Sequence, residues 1–337
     1  MKTGIKVENL KKYFPVQKSF LETLLSRKTE YVKAVDGISF EIKPKEIFGL
    51  VGESGSGKTT TGKLLIRLIE PTDGKVLFDD VNIFELDGEE LRNFRRRMQI
   101  VFQDVAASLN PRMSIGESIK HPLEIHRIGE NEDERKKMVF EALEKVGLSP
   151  PEAFYYKYPH QLSGGQRQRA CFARAIVLNP EFIVADEPIA MIDVSLRAQI
   201  MDLMIKLKEQ NNITFLYITH DLATAKYICN RIAIMYLGKI VEIGERDEIY
   251  NNPQHPYTVA LLSSVPVPNP KYKPKRIIPK GEIPSPINPP PGCRFHPRCP
   301  IATKKCSLEE PKLERINSNH LVACHHPGKT SPLYDSK

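Results

Sequence analysis

Residues 47–66 read IFGLVGESGSGKTTTGKLLI. A short apolar run, of the kind that forms a strand buried in an α/β sheet, meets a glycine-rich turn and then a helical pattern. The turn, Gly52 to Thr60, has the spacing G-x-x-x-x-G-K-[ST] in the strand-to-helix setting this motif requires. Gly52, Gly55 and Gly57, with Ser54 and Ser56 between them, let successive backbone N–H groups turn inward around phosphate oxygens, and the helix start adds its dipole. Lys58 is placed to reach the β- and γ-phosphates and Thr59 to ligate Mg²⁺, with Thr60 closing the motif. The plain alternative, a glycine-rich turn beside a surface lysine, does not account for the flanking strand and helix.

Two more apolar runs, FIVAD (182–186) and TFLYIT (214–219), have the same strand character, so the first part of the chain is expected to be α/β. A phosphate loop of this kind needs a carboxylate at the C-terminal end of a neighbouring strand, where Mg²⁺ sits. FIVADE supplies Asp186 there, and Glu187 beside it points differently and can polarise an attacking water. LSGGQRQRA (162–170) adds a second anion-binding feature. Ser163 with Gln166 forms a capping box, and Gly164 and Gly165 leave the first helical N–H groups uncovered.

At 337 residues the chain has room for one large domain and a small appendage. No apolar run approaches the roughly 18 residues needed to cross a bilayer, and the opening MKTGIKVENLKK lacks a signal-peptide core, so a cytoplasmic location is expected. The net charge of +8 suits an anionic neighbour or an ordinary solvated surface. No helix interleaves basic residues with base-stacking aromatics, which speaks against nucleic acid. From Pro266 to Pro291 ten residues are proline, a density that excludes helix and central strand. Residues 265–292 therefore read as a surface linker, and 327–337 as a flexible tail.

Taken together, the phosphate loop, Gln103 in VFQD, LSGGQ, VADEP and His220 in ITHD resemble the ATP-binding cassette (ABC) family over residues 4–264, in the family's order. The resemblance implies a P-loop NTPase with a RecA-like core, an antiparallel β subdomain and a helical subdomain at about 104–170, within a nucleotide-binding domain spanning 1–264. It implies a head-to-tail dimer in which Ser163, Gly164, Gly165 and Gln166 of one subunit close over ATP held by the other. It further makes Glu187 the general base, His220 a γ-phosphate contact, and Gln103 a sensor of Mg²⁺ linked to a membrane partner. Asp193 would lie in the loop crossing the dimer, and Tyr13 would stack on adenine. Taken singly, a strand-end histidine, a loop amide or a packed tyrosine is ordinary; their order carries the reading. DEPIAMID departs from the common DEPTSALD, placing Ala190 and Met191 before Asp193, while Glu187 and Asp193 remain.

SLNPRMSI, HPYT (255–258), GEIPSP and PPGCRFHPRCP look like the ATPase subunits of bacterial dipeptide and oligopeptide importers, extending the resemblance over nearly the whole chain. SLNPR and the insertion near residues 16–32 are similar to the second of two paired ATPases. That implies peptide import driven by ATP and Mg²⁺ at the cytoplasmic face of the membrane. The implied partners are permease subunits, a second ATPase or a second copy, and indirectly an extracytoplasmic peptide-binding protein. The alternatives are an importer ATPase for another solute, or a cassette protein acting on ribosomes or DNA; the latter usually carries two cassettes or long coiled-coil insertions, and neither is present. The basic run Lys271, Lys273, Lys275 and Arg276 reads as linker solvation or as attraction to an anionic membrane.

Six cysteines in a reducing compartment point to packing or metal rather than disulfides. Cys171 and Cys229 fall in apolar helical patterns and read as core. Cys293, Cys299, Cys306 and Cys324, spaced C-x5-C-x6-C-x17-C over a 293–326 region, suit zinc or an iron–sulfur cluster. The wide spacing and the peptide-importer resemblance favour [4Fe–4S], and His296, His325 and His326 leave a mixed zinc site open. Such a group would fold a segment too short for its own core. Its role is expected to be separate from ATP chemistry, so that Cys299→Ser disorders the tail but leaves nucleotide binding intact.

Overall fold

The computed structural model describes residues 4–16, 30–190, 192–265, 279 and 281–329. Most of the insertion near 16–32, Met191, the basic run 271–276 and the end of the tail from 330 lie outside the described residues. The strands are β1 (Ile5–Pro15), β2 (Tyr31–Ile42), β3 (Ile47–Val51), β4 (Asp73–Phe78), β5 (Val81–Asn82), β6 (Met98–Val101), β7 (Phe182–Asp186), β8 (Thr214–Thr219), β9 (Arg231–Tyr236), β10 (Lys239–Glu245), β11 (Glu314–Asn317) and β12 (His320–Val322). The chain forms two compact units, one of Asp79–Ile218 with Ile42–Ile47, the other of Ile5–Glu41, Phe48–Phe78 and the chain from Thr219 onward.

In the first unit β6, β7 and β8 run parallel, with Val184 opposite both Ile100 and Leu216. Every residue of β7 and β8 is buried, which is why both read as unbroken apolar runs rather than as alternation. The helices Ile115–Ile125, Glu132–Lys145 and Gly164–Ile176 pack on one another, burying Ile119, Leu123, Val139, Leu143 and Phe172. Their starts are set locally. Ser114 and Glu117 close a capping box on the first, and the Asn131 side chain accepts from the Glu134 N–H on the second.

In the second unit β3 pairs in parallel with β9, and β9 turns at Leu237–Gly238 into antiparallel β10. The cysteine-bearing segment does not stand apart from this framework. Its hairpin β11–β12 adds to β10, with Val322 opposite Glu242 and Leu321 opposite Ile243. A buried polar knot sits under that join: the Glu242 carboxylate accepts from the Gln254 N–H at 2.7 Å and the His255 N–H at 3.0 Å, and meets His320 Nε2 at 2.7 Å. His320 is wholly buried, with Glu248 3.5 Å from its Nδ1. Burial opposes its charge, but the Glu242 and Glu248 carboxylates outweigh that and raise its pKa. Elsewhere in the unit β1 lies between β2 and β4, antiparallel to β4.

Candidate functional site: a phosphate loop held by the C-terminal segment

The phosphate loop joins β3 to the helix Lys58–Leu65. Gly57, the residue before that helix, has φ 106°, and a Cβ there would lie 2.1 Å from the Ala34 carbonyl oxygen. A Cβ on Gly52 would lie 2.1 Å from the Met235 carbonyl oxygen, so the turn can pass this close to β9 only as glycine. Lys58 is buried, and its Nζ donates to the Gly52 and Glu53 carbonyls, both at 2.8 Å, folding the ammonium back into the loop. Ser54, Gly55 and Thr59 are exposed, and Thr60 is partly so. Ser56 is buried, with its Oγ 3.4 Å from Lys58 Nζ.

Several residues that the sequence did not single out surround this loop. The Glu53 N–H donates to the Tyr257 hydroxyl at 3.0 Å, and the Glu53 carboxylate accepts both arms of Arg298, at 2.9 and 3.3 Å. Arg298 lies against the rings of Tyr236 and Phe295, 5.8 and 5.9 Å from their centres. Burial disfavours the Arg298 charge, but Glu53 more than compensates and raises its pKa. Tyr13, expected against adenine, is half-buried and donates its hydroxyl to Asp36, which also accepts from Arg294. Burial works against ionised Asp36, while the Tyr13 hydroxyl, Lys239, Arg294 and Lys33 together lower its pKa. HPYT and RCP were legible as motifs, but nothing in their spacing says that Tyr257 and Arg298 meet Glu53.

In the first unit Asp186 is the buried last residue of β7. Glu187 follows with φ 45°, which turns its side chain out of the strand's alternation, and its Oε2 accepts from Gln103 Nε2 at 3.1 Å. The structure thus brings together two residues expected to act on one nucleotide. Ser163 caps the helix Gly164–Ile176: its Oγ accepts from the Gln166 N–H at 3.2 Å, and Gln166 Oε1 accepts from the Ser163 N–H at 3.0 Å. Gly164 is exposed, and a Cβ on Gly165 would lie 3.0 Å from Leu196 Cδ1. Asp193 is exposed immediately before the helix Val194–Asn211. His220, in the second unit, is exposed one residue past β8.

The four C-terminal cysteines, with His255, Phe295, Ile301 and three further histidines, line one small cavity of about 10 Å³. Among the described residues no group of three or more His, Cys, Asp or Glu is closed around a common point as metal ligands would be. As free thiols Cys293, Cys299 and Cys324 are pushed up, Cys293 to about 11 and Cys324 to about 12, by burial first; backbone N–H groups offset part of this and neighbouring cysteines add to it. His255 borders the same cavity. Its Nδ1 accepts from the Tyr257 N–H at 3.0 Å, which puts the proton of the neutral ring on Nε2, and that buried nitrogen has no partner among the described residues. Burial lowers its pKa to about 3. This segment, whose role is expected to be separate from ATP chemistry, is in direct contact with the loop. Arg294 and Arg298, each next to a cysteine, reach Asp36 and the phosphate loop itself.

Residues 35–190 match the family model described as ABC transporter, and 241–306 match the oligopeptide/dipeptide transporter C-terminal region. The chain is 48% identical over 326 residues to the oligopeptide transport ATP-binding protein AppF of Bacillus subtilis (strain 168), covering 96% of this chain and 97% of that protein. The chain belongs to the ABC transporter family of ATP-binding proteins. It is also 51% identical over 300 residues to the putative oligopeptide transport ATP-binding protein YkfD of the same organism, covering 88% and 91% of the two chains. Among solved structures, the ATP-binding cassette MJ0796, a dimer in a post-hydrolysis state bound to ADP and Pi, superposes with TM-score 0.61 at 31% identity, over 72% of this chain and 98% of that one. The cbiO1 protein of Clostridium perfringens, part of the cbiONQ transporter complex, gives TM-score 0.63 at 26% identity, over 75% and 92%. As a family member the protein is an ATPase with the α/β cassette fold, as the loop and the acidic strand end implied. Among the described residues no helix is long and apolar enough to cross a membrane.

Proposed function

We propose that this ATPase powers import of di- and oligopeptides through membrane permease subunits, working peripherally at the cytoplasmic face as a head-to-tail dimer with a second copy or a related subunit. The observation that carries the reading is similarity along both the cassette and its C-terminal region to oligopeptide transport ATP-binding proteins. An ATPase for another solute would share the cassette match but would leave the 241–306 match unexplained.

In the proposed reaction the backbone of Gly52–Thr60 and Lys58 bind the phosphates of ATP, Thr59, Gln103 and Asp186 serve Mg²⁺, and Tyr13 meets the adenine. Glu187 takes a proton from the water that attacks the γ-phosphorus, ADP leaves, and His220 steadies the γ-phosphate oxygens. Ser163, Gly164, Gly165 and Gln166 from the opposing subunit close over that phosphate, with Asp193 beside them. Ser163 Oγ already serves its own helix, so the first N–H groups of that helix, beginning at exposed Gly164, are the donors best suited to ATP.

Four soft sulfurs border one space at the C-terminal cavity, a donor type that thiophilic groups take. Cys293, Cys299, Cys306 and Cys324 would hold either a [4Fe–4S] cluster or zinc, which would supply folding free energy to the segment. A cavity of about 10 Å³ suits one ion, and a cluster requires the sulfurs to spread. Brown anaerobically purified protein with iron and sulfide near four per chain would establish the cluster, and a colourless sample with one zinc would exclude it.

Peptide transport is tested by deleting the gene and following uptake of a radiolabelled tripeptide. Loss of uptake, restored by the wild-type chain but not by Lys58→Ala, is expected. Undiminished peptide uptake with loss of another solute would overturn the proposal.

A further inference from the structure

Arg294 and Arg298 stand one residue after Cys293 and one before Cys299, and both are 8% exposed. A guanidinium cannot lose its proton, so a buried one must sit where anionic and polar partners compensate it. Arg294 donates to the Leu237 carbonyl and to Asp36, and Asp36 in turn receives the Tyr13 hydroxyl. Arg298 forks onto the two carboxylate oxygens of Glu53, the second residue of the phosphate loop, and reaches the Tyr236 hydroxyl at 3.4 Å. Glu53 is thereby fixed at three groups. Arg298 holds its carboxylate, Tyr257 its N–H and Lys58 its carbonyl. Two of those three partners belong to the chain beyond residue 254, not to the loop and its helix.

We infer that Arg298 is a positioning residue for ATP: by holding Glu53 it orders the start of the phosphate loop before nucleotide arrives. This rests on the assignment of Gly52–Thr60 as the ATP phosphate loop. A loop with three glycines in six residues loses much backbone freedom when it wraps a ligand. Ser54 and Gly55, next to Glu53, are exposed, a Cβ on Gly55 would meet nothing within 4 Å, and the bend is closed by the Ser56 N–H donating to the Glu53 carbonyl at 3.2 Å, so its first half hangs on Glu53 while Gly238 holds the Ser56 carbonyl at its far end. An anchor in place beforehand removes part of the ordering cost from binding and leaves the chemical step unchanged. Arg294 supports the adenine side in the same way, through Asp36 to Tyr13.

The test measures ATP KM and kcat of the full-length chain, and the Kd of a fluorescent ATP analogue, for Arg298→Ala, Arg298→Lys, Glu53→Gln and the Arg298→Ala/Glu53→Gln double variant. Arg298→Ala is expected to raise KM and Kd about tenfold with kcat within about twofold of wild type. Arg298→Lys restores the charge without the fork and falls between. The double variant is expected to be no worse than the poorer single one, because both remove the same contact. Unchanged Kd in Arg298→Ala, or fully additive losses in the double variant, would overturn the inference. Should Arg298→Ala fail to fold, Glu53→Gln, which preserves side-chain volume, decides alone: wild-type affinity in that variant also overturns it. Failure of the wild-type chain to bind the analogue would instead remove the phosphate-loop assignment beneath it.

Discussion

Replacing Phe295 with alanine tests whether the cysteine-bearing segment is part of the nucleotide unit's core or an attached module. The Phe295 side chain is 1% exposed, and its ring centre lies 5.3 Å from that of Tyr236, 5.3 Å from that of Tyr257 and 5.8 Å from that of His255. Truncating a buried phenylalanine costs about 3–5 kcal/mol through lost transfer energy and the cavity left behind. Three aromatic neighbours, each contributing roughly 0.5–1.5 kcal/mol beyond area, place this site at the upper end. Against a total stability of about 5–15 kcal/mol, the loss would lower the unfolding midpoint by roughly 10 °C. The chain has no tryptophan, so tyrosine emission reports the transition, and Tyr236 and Tyr257 lie at the altered site. Guanidinium unfolding of Phe295→Ala beside wild type gives the free-energy difference directly. A loss under about 1 kcal/mol, with only faster proteolysis of residues 281–329, would refute the reasoning: the segment would then unfold without the cassette noticing.

Glu187→Gln should retain ATP binding while phosphate release falls by about 10²–10⁴-fold, the usual worth of a positioned general base; undiminished turnover would remove Glu187 from that role. His320 carries a raised pKa when folded, so the stability it contributes is full below its unfolded value and is lost as pH rises through the folded one. Unfolding free energy should therefore decline above about pH 6.5 by at most about 1.4 kcal/mol per pH unit, the limit for one proton. His320→Gln should flatten that part of the profile, and an unaltered profile would mean that His320 stays neutral beside Glu242. Cys299→Ser should weaken binding of a fluorescent ATP analogue as well as loosen the tail, since Arg298 is its immediate neighbour; wild-type affinity would restore the separation that the sequence suggested.

The parallel strands were legible because β7 and β8 are buried on both faces and contain almost nothing but apolar residues until Asp186. Gly52, Gly57 and Lys58 were legible because a phosphate loop admits few alternatives at those positions. Glu53 was not, since the motif leaves its position free; its importance comes from Arg298, 245 residues away along the chain. Asp36 is likewise an ordinary strand aspartate until the fold sets Tyr13 on one oxygen and Arg294 on the other. The Glu242–His320 knot shows the same limit from the opposite side. A glutamate within KIVEIGE suggests the solvent face of an alternating strand, yet it is wholly buried, because a histidine 78 residues later arrives to pair with it. Local pattern records what a residue's own element requires, and long-range ion pairs are recorded at neither partner.

The bond between Gln103 and Glu187 bears on when hydrolysis can begin. Glu187 Oε2 accepts from Gln103 Nε2 at 3.1 Å, and the Glu187 backbone sits at φ 45°, a region costing a non-glycine residue on the order of 1–3 kcal/mol. A carboxylate that is to take a proton from water needs a lone pair aimed at that water, and a donor occupies one of those on Glu187 Oε2. Gln103 lies between β6 and the capped start of the helix Val105–Ser108, where the Asp104 side chain accepts from the Ala107 N–H, so its side chain is carried on a short, locally braced segment. A shift of that segment by a few tenths of an ångström would lengthen the bond past useful range and take this donor off the carboxylate. If Glu187 is the base, Gln103→Ala should raise basal hydrolysis by removing this donor from the carboxylate or lower it by removing a magnesium ligand. The two outcomes separate with magnesium: a loss that excess Mg²⁺ repairs assigns Gln103 to the metal, while a gain independent of Mg²⁺ assigns it to restraint of Glu187.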